Sequence, residues 1–293
     1  MQQQQAQSKK DAAIPAVNYH LWGSCNMRCR FCFARFKTER QESKEVGWQK
    51  SLAVIAEASR AGIAKITFAG GEPLLCPWLA DVLKHSKAFG MTTMVVTNGS
   101  LVTDRWLGEN ARYIDWLALS IDSPVTATNF ASGRAVGGIR PLGATEYRSL
   151  AAKIRRHNIR LKVNVTVSRF NVEEDPSSLL LEILPERLKV FQVLPIFGQN
   201  DHCFADLGIS IKKFSAFVRR LDPLRNFCQV VVEDNEAMTG SYLMIDPQGR
   251  FFSNTGGRYR FSLPVWQVGW ATALSEIETS VARFRSRGGF YSW

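Results

Sequence analysis

Short apolar runs alternate with longer stretches of helical periodicity through the first three quarters of the chain. Runs rich in β-branched and aromatic residues at 17–21, 65–69, 92–97, 114–121, 160–167 and 188–194 predict strands. Segments 44–61, 77–89, 104–112, 145–157, 177–184 and 211–221 repeat their apolar positions at helical spacing and predict helices. Strand–helix alternation predicts an α/β fold with a parallel sheet covered by helices. Six such units suit a partial, open (β/α)6 barrel, a form in which sites gather at the C-terminal ends of the strands.

One strand departs from the rule for a packed barrel. At 160–167, Leu161, Val163, Val165 and Val167 share one face, and Lys162, Asn164 and Thr166 share the other. A packed barrel interior is apolar, so an inward Lys and Asn predict a polar cavity. The alternative is an edge strand with a solvent face. The next strand places Arg187 and Lys189 on one face as well. On the cavity reading these cations form a floor suited to phosphate oxygens.

The last quarter has a different texture. Residues 242–252 read as a hairpin around Asp246-Pro247-Gln248-Gly249. A helix is predicted at 271–285, followed by Arg287-Gly288-Gly289 and an aromatic end. Arg287 is either a cation for a terminal phosphate or a helix-end charge offsetting the dipole. The expected division is a disordered, Gln-rich segment at 1–13, the barrel at 14–222, and an extension at 223–293 that closes the barrel mouth and covers a nucleotide site.

A length of 293 residues and 45% hydrophobic composition allow a sizeable core. No apolar run has the length of a membrane span, and no signal peptide opens the chain, so a soluble cytoplasmic protein with no membrane partner is expected. The net charge of +11 fits a solvated basic surface, a nucleic-acid binder, or a pocket for a small polyanion. There is no nucleic-acid motif, and Lys212-Lys213 and Arg219-Arg220 fall where a helix faces solvent.

Cys25, Cys29 and Cys32 form a C-x3-C-x2-C loop directly after the first strand. Three thiolates on one loop suit an iron–sulfur cluster. Structural zinc is the alternative, and it needs a fourth ligand. The spacing followed by Phe33 resembles the radical SAM enzymes. That resemblance implies a [4Fe–4S] cluster whose open iron binds S-adenosylmethionine. One βα unit later comes Gly70-Gly71-Glu72-Pro73, which in those enzymes holds the methionine amino group. Thr97-Asn98-Gly99-Ser100 and Ser120-Ile121-Asp122-Ser123 close the next two strands. They are either helix caps or two more polar loops on the same barrel face.

Beyond these motifs the chain resembles the viperins in their short prokaryotic-like form, from about residue 17 to 293. The resemblance rests on Val17-Asn18-Tyr19-His20, Lys162-Val163-Asn164, Lys189-Val190-Phe191-Gln192 and Arg287-Gly288-Gly289. It rests also on Ser241-Tyr-Leu-Met-Ile-Asp246, and above all on Arg169-Phe-Asn-Val-Glu-Glu-Asp175. It implies a 5′-deoxyadenosyl radical that takes the ribose 4′ hydrogen of a nucleoside triphosphate, loss of the 3′ hydroxyl as water, and a chain-terminating 3′-deoxy-3′,4′-didehydronucleotide. CTP or UTP is the expected substrate. By resemblance, Asn98, Ser120 and Arg134 join Gly70, Gly71 and Glu72 around the cofactor. Lys65, Lys162, Asn164, Arg187, Lys189 and Arg287 hold the triphosphate, and Asn18 lies near the base. Tyr242 sits by the sugar, either delivering a hydrogen or packing there.

Two departures stand out. Ala69 occupies a position that is Ser in vertebrate members. Ala34-Arg35-Phe36-Lys37 replaces their His-Thr-Ala-Lys. The amphipathic N-terminal helix of vertebrate members is not expected here. A flavodoxin or ferredoxin is the expected electron donor, and stable nucleic-acid binding is not expected. The alternatives are another radical SAM chemistry on a phosphorylated small molecule, or a metal-stabilised RNA-binding protein.

Overall fold

The computed structural model describes residues 13–36 and 45–293. Lys37 and residues 1–12 lie outside them. In chain order the strands are β1 (Ala16–Trp22), β2 (Lys65–Gly70), β3 (Thr92–Thr97), β4 (Trp116–Ser120), β5 (Ala135–Val136) and β6 (Arg140–Pro141). They continue with β7 (Arg160–Val167), β8 (Arg187–Gln192), β9 (Gln229–Glu233), β10 (Met244–Ile245), β11 (Arg250–Ser253) and β12 (Arg260–Pro264). Ten of these form one sheet, in the order β12-β11-β10-β1-β2-β3-β4-β7-β8-β9. From β10 to β9 every neighbouring pair is parallel. The six predicted strands thus stand side by side in an open barrel. Two further parallel strands, β9 and β10, flank them from the C-terminal region.

The helices follow from their apolar spacing. In Ala144–Arg156, Tyr147, Leu150, Ala151 and Ile154 are buried, one stripe at i, i+3, i+4 and i+7. Glu146 accepts a 3.0 Å bond from the Gly143 amide and closes the N-terminus, and Lys153, Arg155 and Arg156 sit at the negative end of the dipole. The predicted helix at 271–285 is broken into Trp270–Ser275 and Val281–Ser286. Its apolar positions do not keep one stripe, and Ser280 caps the second piece by accepting from the Arg283 amide.

The sheet separates two environments. Leu161, Val163, Val165 and Val167 are fully buried in the main core under the helices. Lys162, Asn164 and Thr166 line a cavity on the concave face. Strand β7 lies between β4 and β8, which removes the edge-strand alternative. The hairpin is as predicted: β10 and β11 pair antiparallel, Gly249 N donates to Asp246 O at 2.9 Å, and Gly249 adopts φ +75°.

Candidate active site

The cavity holds about 310 Å³ and runs along the inside of the barrel. One end is built from the C-terminal ends of β1 to β4. Cys25, Cys29 and Cys32, Gly70 and Gly71, Asn98, and Ser120 all line it, so the four polar loops do share one face. The other end is built from the starts of the strands. Lys65 and Arg187 are the first residues of β2 and β8, Lys162 and Lys189 are the third of β7 and β8, and all four line the cavity. From Lys162 to Thr166 along β7 is about 13 Å at ~3.3 Å per residue. The cysteine loop and the cations therefore face each other across one nucleotide-sized space.

At the cysteine end, β2 is welded to β1. A Cβ on Gly70 would stand 2.2 Å from the Trp22 carbonyl oxygen, and one on Gly71 2.2 Å from that of Ser24. The glycines allow this approach, and Gly71 N donates to Trp22 O at 2.6 Å. Glu72 is fully buried but does not line the cavity. Its carboxylate accepts from Leu74 N at 3.1 Å, Thr97 Oγ1 at 2.7 Å and Asn98 N at 2.9 Å. Glu72 therefore acts on the site by fixing the ends of β2 and β3.

The thiols meet several N–H donors. Met27 N lies 3.4 Å from Cys25 Sγ, Asn98 Nδ2 3.9 Å from Cys25 Sγ, and Arg134 Nη1 3.8 Å from Cys29 Sγ. Arg134 is itself held by Asp122 at 2.9 Å and by the Ser120 carbonyl at 2.6 Å. Burial pushes all three thiols up, Cys29 to about 12, with Arg134 the main opposing influence there. Such thiols ionise when a cation binds them. Among the described residues no three His, Cys, Asp or Glu side chains are already gathered as a metal ligand set. The fit to a cluster lies in the donor chemistry: three free thiols on one loop, with N–H groups aimed at sulfur.

At the far end five buried cations gather, and the buried carboxylate of Glu233 pairs with two of them, Lys189 and Arg287. Lys65, Lys162, Arg187, Lys189 and Arg287 are all at most 9% exposed. Glu233, at the end of β9 and fully buried, pairs with Lys189 and lies 3.4 Å from Arg287 Nη1. Burial pushes Lys65 down to about 6 and Lys189 to about 7, reinforced by neighbouring cations. Burial alone would raise the Glu233 carboxyl, but Lys189 and Arg287 hold it below the usual range. Tyr242 donates to Glu233, accepts from Lys189 Nζ at 2.9 Å, and lies under the Arg287 guanidinium at 3.6 Å. Among the described residues Asn164 Oδ1 and Arg187 Nε are buried without hydrogen-bond partners, and both residues line the cavity. Asn18 lines the same cavity.

The extreme tail closes this floor. Tyr291 accepts from Lys65 and packs against Arg187 at 3.8 Å and edge-on to Trp116, the first residue of β4, at 5.8 Å. These contacts place the tail at the N-terminal ends of β2, β4 and β8, opposite the cysteine loop. Aromatic side chains can seal this end because the cations there offer ring-stacking partners. Sequence reasoning missed Tyr291 and Glu233. An acidic residue ending the apolar run Val230-Val231-Val232 was the available signal for the second.

The profile of the Radical SAM superfamily matches residues 19–183. An S-adenosylmethionine-dependent nucleotide dehydratase of Lacinutrix mariniflava is 44% identical over 96% of this chain, which spans 59% of that longer protein. One from Flammeovirga pacifica is 41% identical, with 96% of each chain covered. The chain belongs to the viperin family of radical SAM enzymes. The solved structure of anSMEcpe with bound AdoMet shares the fold, with a TM-score of 0.65 and 11% identity over 93% of this chain and 82% of that one. Like other members of its superfamily, this viperin-family enzyme uses a [4Fe–4S] cluster and S-adenosylmethionine. Among the described residues no helix is long and apolar enough to cross a membrane.

Proposed function

We propose that the enzyme dehydrates the ribose of a nucleoside triphosphate, with the triphosphate on the cationic floor and the sugar turned toward the cysteine loop. The observation that carries this reading is the pairing of ends. Five buried cations with one carboxylate face three thiols across a single cavity. Burial lowers the lysines of this floor, and a multiply charged anion is the ligand that would restore their charge.

On this reading Cys25, Cys29 and Cys32 are the cluster ligands. Gly70, Gly71, Asn98, Ser120 and Arg134 surround S-adenosylmethionine, and Glu72 fixes the loops that carry them. The cluster and S-adenosylmethionine, when bound, supply a 5′-deoxyadenosyl radical for abstraction of the ribose 4′ hydrogen. The chain's own contribution is position and dryness. Lys65, Lys162, Arg187, Lys189 and Arg287 neutralise the phosphates, and Asn164 offers its free Oδ1 to the nucleotide. Asn18 stands near the base. Tyr242, held by Lys189 and Glu233, presents its ring and hydroxyl beside the sugar, where the 3′ hydroxyl departs as water.

Anaerobic turnover with ATP, GTP, CTP and UTP in competition tests this reading by mass spectrometry. The expected product is a nucleotide lighter by one water, formed preferentially from CTP or UTP. Equal turnover of a nucleoside and its triphosphate would remove the phosphate role of the floor.

A further inference from the structure

The β5–β6 hairpin is stitched to the outside of the cysteine loop and takes no part in the cavity floor. Gly137 N donates to Asn26 O at 2.8 Å, Arg28 N to Gly133 O at 3.2 Å, and Arg30 N to Ser132 O at 2.8 Å. A Cβ on Gly133 would stand 2.3 Å from the Arg28 carbonyl oxygen, so the two segments touch backbone to backbone. Asn26 follows Cys25, which is exposed, and Gly137 is two residues from Ile139 at the hairpin tip. The tip thus reaches within roughly 10 Å of the cysteine loop at ~3.5 Å per residue.

This rim has an unusual composition. Residues 23–36 and 123–143 contain five arginines, Arg28, Arg30, Arg35, Arg134 and Arg140, and no Asp or Glu; Arg134 is buried on Asp122, and Arg30 pairs with Asp206. Arg28 and Arg140 are exposed and unpaired among the described residues. Exposed apolar side chains lie on the same two segments, Ile139 at 81%, Phe130 at 55% and Phe33 at 40%. Exposed apolar side chains beside two unpaired arginines suit a protein partner of negative charge.

We propose that the β5–β6 hairpin and the cysteine loop form the docking surface for a small acidic one-electron carrier protein. The inference rests on the radical SAM reading of the site. In the docked pair one electron passes from the reduced carrier to the cluster, so the carrier is oxidised and the cluster reduced by one electron each. Arg28 and Arg140 steer the acidic partner, and Ile139 and Phe130 supply the dry contact that holds it. A single-stranded RNA would also meet the arginines. The prominent aliphatic tip and the adjacent cysteine loop favour the redox partner.

The test compares wild type with the double variant I139E/R140E, both reconstituted anaerobically. Neither residue belongs to the cavity. Reduced flavodoxin serves as the acidic protein donor and dithionite as the small-molecule donor. The expected result is a tenfold or greater rise in the flavodoxin KM, with a matching loss of flavodoxin binding by calorimetry. Wild-type binding should weaken with added salt, while iron content and dithionite-driven S-adenosylmethionine cleavage stay unchanged. An unchanged flavodoxin KM overturns the proposal. So does an equal loss with both donors, which would mean a damaged cysteine loop. Loss of RNA binding without a change in flavodoxin KM would overturn it in favour of nucleic acid. Absence of dithionite-driven cleavage in the wild type would instead sink the radical reading itself.

Discussion

Tyr242 and Glu233 hydrogen-bond across the opening of the barrel. Glu233 ends β9 and Tyr242 stands two residues before β10, and these strands lie at opposite limits of the parallel run. Their backbones do not pair, so side chains bridge the gap that β-sheet bonding leaves open. The same bridge carries charge, because Glu233 also offsets Lys189 and Arg287.

Glu233→Gln should separate binding from chemistry. The variant removes the one anion that competes with a triphosphate, so nucleotide KM should fall, by about tenfold at most. Tyr242 loses its charged anchor, so kcat should fall as well. Steady-state kinetics check both, and a rise in KM would contradict the competing-anion role.

On the proposed reading the floor cations act on the nucleotide alone. Lys162→Ala or Arg187→Ala should weaken nucleotide binding by roughly 1.5–3 kcal/mol, the size of a charge-assisted contact. Iron content and S-adenosylmethionine cleavage without nucleotide should remain at wild-type values. Calorimetry and iron assay together decide this.

Cysteine variants should divide sharply. Cys25→Ala, Cys29→Ala and Cys32→Ala should each abolish cofactor cleavage. Cys76→Ala, Cys203→Ala and Cys228→Ala should keep full iron content. An iron requirement for Cys203 or Cys228 would contradict three-thiolate ligation.

The depressed lysines predict a pH signature. Lys65 falls from 10.5 to about 6 and Lys189 to about 7 in the folded protein. Between those values and 10.5 the unfolded chain binds protons that the folded chain does not. Stability from these groups therefore rises with pH and falls as pH drops toward 7. A bound triphosphate restores the protons, so the gain in Tm on adding nucleotide should grow as pH falls from 9 to 7. Calorimetric proton uptake on binding at pH 8 provides a second check.

The tail is tied down by the 2.7 Å bond from Arg187 Nη2 to the Gly288 carbonyl and by Arg287 Nε to the Ser241 carbonyl at 2.9 Å. Deleting residues 287–293 should uncouple the reaction. 5′-Deoxyadenosine would still form slowly, but little dehydrated nucleotide would appear. Hydrogen exchange across 284–293 should slow on adding triphosphate, and full activity of the truncated chain would contradict the sealing role.

The sequence by itself determined the strands, most of the helices, the cysteine loop and the polar face of β7. These rest on local periodicity: alternating valines must face a packed core, so Lys162 and Asn164 must face the other way. Only the tertiary structure decided which charges meet. Lys65 and Tyr291 are 226 residues apart, and Lys189 and Glu233 are 44 apart, and no periodic signal links such positions. It also decided that Glu72 spends its carboxylate on backbone and Thr97, and that Tyr291 of the tail lies against Lys65 and Arg187. The physical reason is burial. Once the barrel hides five cations, it must place a carboxylate and aromatic faces beside them, and only the folded chain shows which residues those are.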